Sequence, residues 1–191
     1  MRRFYSSALA SAILLLGVSS VEANETGSFY LSGSIGTNVI ADIDVVGSTS
    51  DIQFDPGLGV EIGLGYDFGK TRLEGTWVRG DSDRTTWGGG TIANNTTLNS
   101  LIATYYYDFR DTKQWSPFFG ASLGSTTANV DGVDDSGFSW GFAYGLSYKT
   151  AENTDVFYKG NIIVTPELDF GTLSISNGTF GTGTIGVRHR F

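Results

Sequence analysis

Over residues 138–148 the chain alternates without interruption. Phe138, Trp140, Phe142, Tyr144, Leu146 and Tyr148 take one parity, and Ser139, Gly141, Ala143, Gly145 and Ser147 take the other. Side chains of an extended strand point alternately to opposite faces. This period of two therefore predicts a strand with one wholly apolar face and one face of small residues. Six large apolar or aromatic side chains on one face are hard to place in water. Either a second protein layer covers them, or lipid does.

The same period returns along the rest of the chain. Strands are expected over residues 28–37, 58–66, 72–80, 97–107, 116–125, 138–148, 155–164 and from about 179 to 191. In the second, Leu58, Val60, Ile62, Leu64 and Tyr66 oppose Gly59, Glu61, Gly63 and Gly65; in the third, Leu73, Gly75 and Trp77 oppose Arg72, Glu74 and Thr76. In the fourth, Leu101, Ala103, Tyr105 and Tyr107 are taken as outward against Ile102 and Tyr106. In the seventh, Val156, Tyr158 and Ile162 oppose Phe157, Lys159 and Asn161. Polar stretches read as long loops follow the odd strands, over 38–56, 81–95, 126–136 and 165–177, and short turns follow the even ones. An up-and-down barrel crossing the outer membrane sorts its connections in this way, and strands of about 10 residues are what a tilted crossing needs. A lipocalin or β-sandwich has no reason to do so. The expected fold is all-β, an eight-stranded antiparallel up-and-down transmembrane β-barrel.

Composition is compatible with that reading without requiring it. Gly is 27 of 191 residues, aromatics are 14%, and there are 3 prolines, a mixture suited to many strands. Mean hydropathy is −0.05, and beyond the N-terminal region no apolar run approaches the ~18 residues of a spanning helix. Arg2 and Arg3, the apolar stretch 8–18 and Val21-Glu22-Ala23 read as a signal peptide over 1–23, which leaves a barrel domain over 24–191. Export by the general secretory route is expected. Without those residues, 10 of the 12 basic and 19 of the 20 acidic side chains remain, a net charge of about −9. Nucleic acid is therefore not an expected partner. With no Cys, neither a lipid anchor on Cys nor a disulfide can form.

The last strand carries the closure. Ile185, Val187, His189 and Phe191 share one face, with Thr184, Gly186, Arg188 and Arg190 on the other. Lipid offers the backbone no hydrogen bonds, so the sheet must close its first strand on its last. A final strand of this pattern with an aromatic last residue resembles the C-terminal signature of bacterial outer-membrane barrels. Tyr105-Tyr106-Tyr107-Asp108-Phe109 followed by Trp115-Ser116-Pro117-Phe118-Phe119-Gly120 resembles the second periplasmic turn of OmpA-like, OmpX-like and opacity-type barrels. The resemblance spans essentially the whole chain. It implies localisation in the bacterial outer membrane, contact with outer-membrane lipid and lipopolysaccharide, and recognition of Ile185, Val187, His189 and Phe191 by the barrel-assembly machinery. It also implies a monomer, with no OmpA-type peptidoglycan-binding domain. The family often places Tyr where His189 stands.

Little chemistry is visible. His189 is the only His, and it falls at a presumed membrane interface where an amphipathic ring is at home. A zinc site, a Cys nucleophile or a Ser-His-acid triad lacks its parts. Some eight-stranded barrels modify lipid A, but their His and Ser constellation is not seen here, so neither an enzyme nor a cofactor is expected. Gly181, Gly183 and Gly186 match a dinucleotide spacing with no helix to follow, and the match is accidental. Glu61, Glu74, Lys159, Arg188 and Arg190 fall on interior faces and are expected to pair as a salt-bridged lumen filling, or to gate a narrow water path.

The long loops hold Asp42, Asp44, Asp51, Asp55, Asp81, Asp83, Asp131, Asp134, Asp135, Glu167 and Asp169 against Arg84. Such loops would stay solvated, bridge to lipopolysaccharide through divalent cations, or meet a surface ligand. The expected function is a structural or surface-interaction, adhesin-like protein. The alternatives are a low-conductance channel and a secreted soluble barrel for an apolar ligand, which would invert the two faces.

Overall fold

The computed structural model describes residues 27–41, 43–44, 51–87, 90–110, 114–130, 133–169 and 174–191. The strands, in chain order, are β1 (Ser28–Ile40), β2 (Ile43–Asp44), β3 (Asp51–Phe54), β4 (Gly57–Asp67), β5 (Thr71–Trp87), β6 (Gly90–Asp108), β7 (Trp115–Val130), β8 (Val133–Ala151), β9 (Thr154–Asp169) and β10 (Ser174–Arg190). Eight of them close into one antiparallel barrel in the order β1-β4-β5-β6-β7-β8-β9-β10 and back to β1. The closing seam runs from Tyr30 paired with Arg190 to Ile40 paired with Phe180. Beyond it, the Phe191 N–H donates to the Phe29 carbonyl at 2.9 Å. The short β2 and β3 pair with each other, and β3 pairs with the far end of β5.

The strands run well past the boundaries expected from periodicity. Much of what reads as long polar loop is paired backbone. The β5–β6 ladder continues to Trp87 opposite Gly90, and the β7–β8 ladder to Val130 opposite Val133. Stretch 38–56 likewise contains the end of β1 with β2 and β3, and β9 and β10 extend into stretch 165–177. Polar sequence hid these extensions. Above the membrane neither face of a hairpin needs an apolar stripe, so Thr- and Asn-rich strands pair with no hydrophobic alternation to announce them. The signal peptide expected over 1–23 and loop residues Asp42, Asp131 and Phe170 lie outside the described residues.

The faces follow the alternation. Ile185, Phe138 and Leu64 are 63%, 61% and 60% exposed, whereas Tyr30, Asn38 and Ala143 on the opposite parity are 0%. The apolar parity is the outer wall, which excludes the inverted faces of a soluble ligand-binding barrel. In β6 the outward set is Leu101, Tyr105 and Tyr107, as expected, with Ile102 and Tyr106 inside. At the short-turn end the outer wall carries rings that pack edge to face, Phe29 on Tyr66 (4.9 Å), Tyr66 on Phe68 (4.7 Å), Tyr107 on Phe109 (5.0 Å) and His189 on Phe191 (5.3 Å). Such an aromatic girdle marks a membrane interface.

The small parity of β8 is explained by what lies across from it. A Cβ on Gly145 would collide with the Tyr158 carbonyl oxygen and the Phe118 ring, and one on Gly65 with the Tyr30 ring. Interior rings lie flat against glycines of the wall. Towards the long-hairpin end the lumen is filled by Ile40, Leu98, Ile102, Ala128, Ile163 and Phe180. A chain of hydroxyls, Ser100 to Thr126 to Ser139 to Thr165, links β6 to β9 with three contacts each of 2.8 Å. Towards the short-turn end the filling is charged.

Candidate functional site in the barrel interior

Each charged residue of the interior is aimed there by strand parity. Glu61 on β4, Glu74 on β5 and Lys159 on β9 meet near the middle of the barrel. Lys159 Nζ lies 2.7 Å from Glu61 Oε2 and 3.6 Å from Glu74 Oε1. The remaining lone pairs are satisfied. Glu61 Oε1 accepts from Asn161 Nδ2 and Thr182 Oγ1, both at 2.7 Å, and Oε2 from Ser34 Oγ at 3.2 Å. Glu74 accepts from Ser32 Oγ at 3.1 Å and Thr76 Oγ1 at 2.9 Å. Buried charge persists only when it is paired and its other polar atoms are bonded, and both conditions hold here.

A second layer closes the short-turn mouth. Arg72 makes a bidentate pair with Asp108, at 2.7 and 3.0 Å. Its guanidinium is stacked among rings, 4.4 Å from the Tyr106 centroid and 5.2 Å from that of Phe118. Arg188 bonds Asp155 at 2.8 Å. Arg190 reaches Asp67 at 2.8 Å and Asp155 at 2.7 Å, and Arg110 reaches Asp67 at 2.7 Å and Asp108 at 3.2 Å. The Asp67–Arg190 contact steps over β1 and ties β4 to β10 across the closing seam. Five cations and five carboxylates thus balance in these two layers.

Of the five lumen charges expected from sequence, Glu61, Glu74 and Lys159 form one cluster, and Arg188 and Arg190 belong to the other. Sequence reasoning passed over Asp67, Asp108, Asp155 and Arg110. By sequence Asp108 opens a short turn after the fourth strand, yet in the fold it is 1% exposed. The signal was available, because Asp108 keeps the inward parity of Ile102 and Tyr106, and Asp155 that of Phe157 and Lys159. Alternation continues to the strand ends, into segments whose composition is that of a turn.

Small cavities among the described residues, each of about 10 Å³, include one lined by Arg72, Glu74, Tyr106 and Arg188 among others, and a second lined by Thr76, Thr104, Ser122 and Asn161 among others. Both touch Tyr106 and Lys159, and each is about the size that one water requires. His189, between Arg188 and Arg190 in sequence, turns its ring to the outer side of the wall, with Nδ1 2.9 Å from Thr154 Oγ1 at the barrel rim. Among the described residues no three His, Cys, Asp or Glu side chains are grouped to hold a metal ion.

Residues 8–191 match the family described as the outer membrane protein beta-barrel domain. The chain belongs to that family. It is an outer-membrane β-barrel protein of the bacterial envelope, and its outer wall faces lipid. By the usual orientation of such barrels, the short turns face the periplasm and the long hairpins the exterior. Neisserial surface protein A, NspA, shares the fold with a TM-score of 0.69 and 21% identity, over 87% of this chain and 100% of that one. The outer membrane protein AlkL, solved in lipid bilayers, has a TM-score of 0.50 and 14% identity, over 100% of this chain and 97% of that one. No curated protein sequence matches the chain.

Proposed function

We propose that this barrel is a monomeric, non-enzymatic scaffold of the outer membrane that presents its long extracellular hairpins as a structural or surface-interaction, adhesin-like element. The observation that carries this reading is the filled lumen. Among the described residues, a neutral double layer of ion pairs and an apolar layer beyond it fill the lumen around water-sized gaps, so activity is better sought outside the barrel. The β5–β6 and β7–β8 ladders continue to their tips and give those tips rigid support, as recognition loops need. The likeness to a protein named for the neisserial surface is consistent with it. In this reading the segment 1–23 directs export and is removed, and the assembly machinery reads Ile185, Val187, His189 and Phe191. Neither cofactor nor metal is needed, and acidic side chains such as Asp55 and Asp134 face lipopolysaccharide, with or without divalent cations, or a surface ligand.

The test replaces hairpin tips 82–95 and 128–135 by two-residue turns and measures binding of whole cells to host or bacterial surfaces. Loss of binding with retained heat-modifiable gel migration supports the reading. Unchanged binding in the doubly shortened variant refutes it. The channel reading draws on the two cavities flanking Lys159, and it requires currents in planar bilayers that Glu74→Ala and Arg188→Ala alter. The filled lumen argues for silence in that assay.

A further inference from the structure

A polar atom buried without a partner is costly, and folded proteins satisfy nearly all of them. Among the described residues, Asn38 Oδ1 and Thr96 Oγ1 are buried side-chain atoms with no hydrogen-bond partner. Both belong to one inward row at the long-hairpin end of the lumen. Asn38 on β1 lies opposite Gly57 on β4, and Ser82 on β5 lies opposite Thr96 on β6. Gly57 backs onto Ser82, so closely that a Cβ on it would collide with the Asp81 carbonyl. Because Gly57 places no side chain in the lumen, the Asn38 amide can reach over β4, and its Nδ2 donates to Ser82 Oγ at 2.9 Å. The amide lies flat against Gly80, where a Cβ would meet its Cγ, Nδ2 and Oδ1 together. Turning the amide over exchanges the bonded atom for the orphaned one and leaves the same deficit. Asn38, Ser82 and Thr96 are 0%, 2% and 3% exposed, so bulk solvent does not make up the missing bonds.

We propose that Asn38, Ser82 and Thr96 form a binding site for one water molecule, and that this water ties the root of the β5–β6 hairpin to β1. The water donates to Asn38 Oδ1 and accepts from the hydroxyls of Thr96 and Ser82, the Ser82 oxygen being already engaged by the amide. About three bonds to otherwise unmet buried groups is the usual complement of an internal water. A metal cation fits worse, because the row holds no carboxylate and one of its three side-chain oxygens already accepts an N–H. The position gives the water its use. β4 begins at Gly57, so this is the last row at which β4 stands between β1 and β5. Beyond it the long β5–β6 ladder runs on to Trp87 and Gly90 without β4 beside it. A link from β1 through the water to Ser82 and Thr96 holds both strands of that hairpin where the sheet's own connection ends. This goes beyond the scaffold reading and does not depend on adhesion.

The experiment crystallises the refolded full barrel from detergent in rubidium chloride and, in parallel, follows amide hydrogen exchange over residues 79–99 by mass spectrometry, for wild type, Thr96→Val and Thr96→Ser. In the wild type one water should lie within hydrogen-bond distance of all three side chains, with no anomalous rubidium peak there. Thr96→Val keeps the shape and removes the hydroxyl. It should lose the water and speed exchange at the hairpin root by about fivefold, the scale of one net hydrogen bond, while Thr96→Ser stays at the wild-type level. With no bound water the sign reverses, since Val then replaces a hydroxyl that had no partner, and exchange is unchanged or slower. Unchanged or slower exchange in Thr96→Val overturns the proposal, and so does a wild-type site that holds no water or holds rubidium. Heat-modifiable migration reports whether each variant is folded. If Thr96→Val does not fold, Ser82→Ala decides by the same comparison. None of these readouts involves cell binding, so this proposal and the scaffold reading fail separately.

Discussion

Replacing Lys159 by Met tests whether the lumen is a packed interior or a hydrated passage. Met preserves most of the side-chain volume and removes one charge. What remains is Glu61 and Glu74, 2% and 3% exposed, which have lost the cation that lay 2.7 and 3.6 Å from them. Their other partners, Ser32, Ser34, Thr76, Asn161 and Thr182, are neutral donors and cannot offset two negative charges. Breaking a buried pair by deleting one member costs about 3–5 kcal/mol, because the survivor is left charged and uncompensated. That range is expected for Lys159→Met in urea unfolding of the barrel from lipid vesicles, followed by tryptophan fluorescence. The double variant Lys159→Met with Glu61→Gln should recover a substantial part of the loss, since one orphaned charge is then removed. A loss below about 1 kcal/mol, the range of a solvent-exposed pair, would refute the reasoning. It would mean that water screens the centre of the barrel, and the channel reading would gain what the scaffold reading lost.

Asp67→Asn deprives Arg110 and Arg190 of their shared carboxylate across the closing seam and should cost about 1–3 kcal/mol in the same unfolding assay. No change would show that the mouth is held by Asp155 and Asp108 alone. Two glycine substitutions should part company: Gly145→Val drives a branched side chain against the Tyr158 carbonyl and the Phe118 ring and should cost about 1–3 kcal/mol, whereas Gly33→Val, with open space beside it, should be nearly neutral. Equal costs would disprove the close packing of ring and backbone on Gly145. Deleting Phe191, 74% exposed and held by one backbone hydrogen bond to Phe29 and an edge contact with the His189 ring, should shift unfolding by less than about 1 kcal/mol while lowering recovery in the outer-membrane fraction. Full recovery would dispose of the assembly role assigned to Ile185, Val187, His189 and Phe191.

The eight crossings, their inward and outward parities and the need to close the last strand on the first were all legible in the sequence. Each depends on the period of two, a property of the extended backbone that tertiary contacts cannot alter. The lipid-facing wall was equally legible, because apolar side chains in the numbers found on 138–148 leave few other environments. Strand ends were not, because above the membrane the alternation loses its apolar signal while the backbone goes on pairing. Pairing of interior charges was also out of reach. Parity shows that Glu61, Glu74 and Lys159 face inward, but their heights along the barrel depend on strand tilt and stagger, which belong to the closed sheet. That stagger brings Lys159 between the two glutamates and sends Arg190 across β1 to Asp67, while Arg79, two residues beyond Trp77, comes to rest at the edge of the apolar belt.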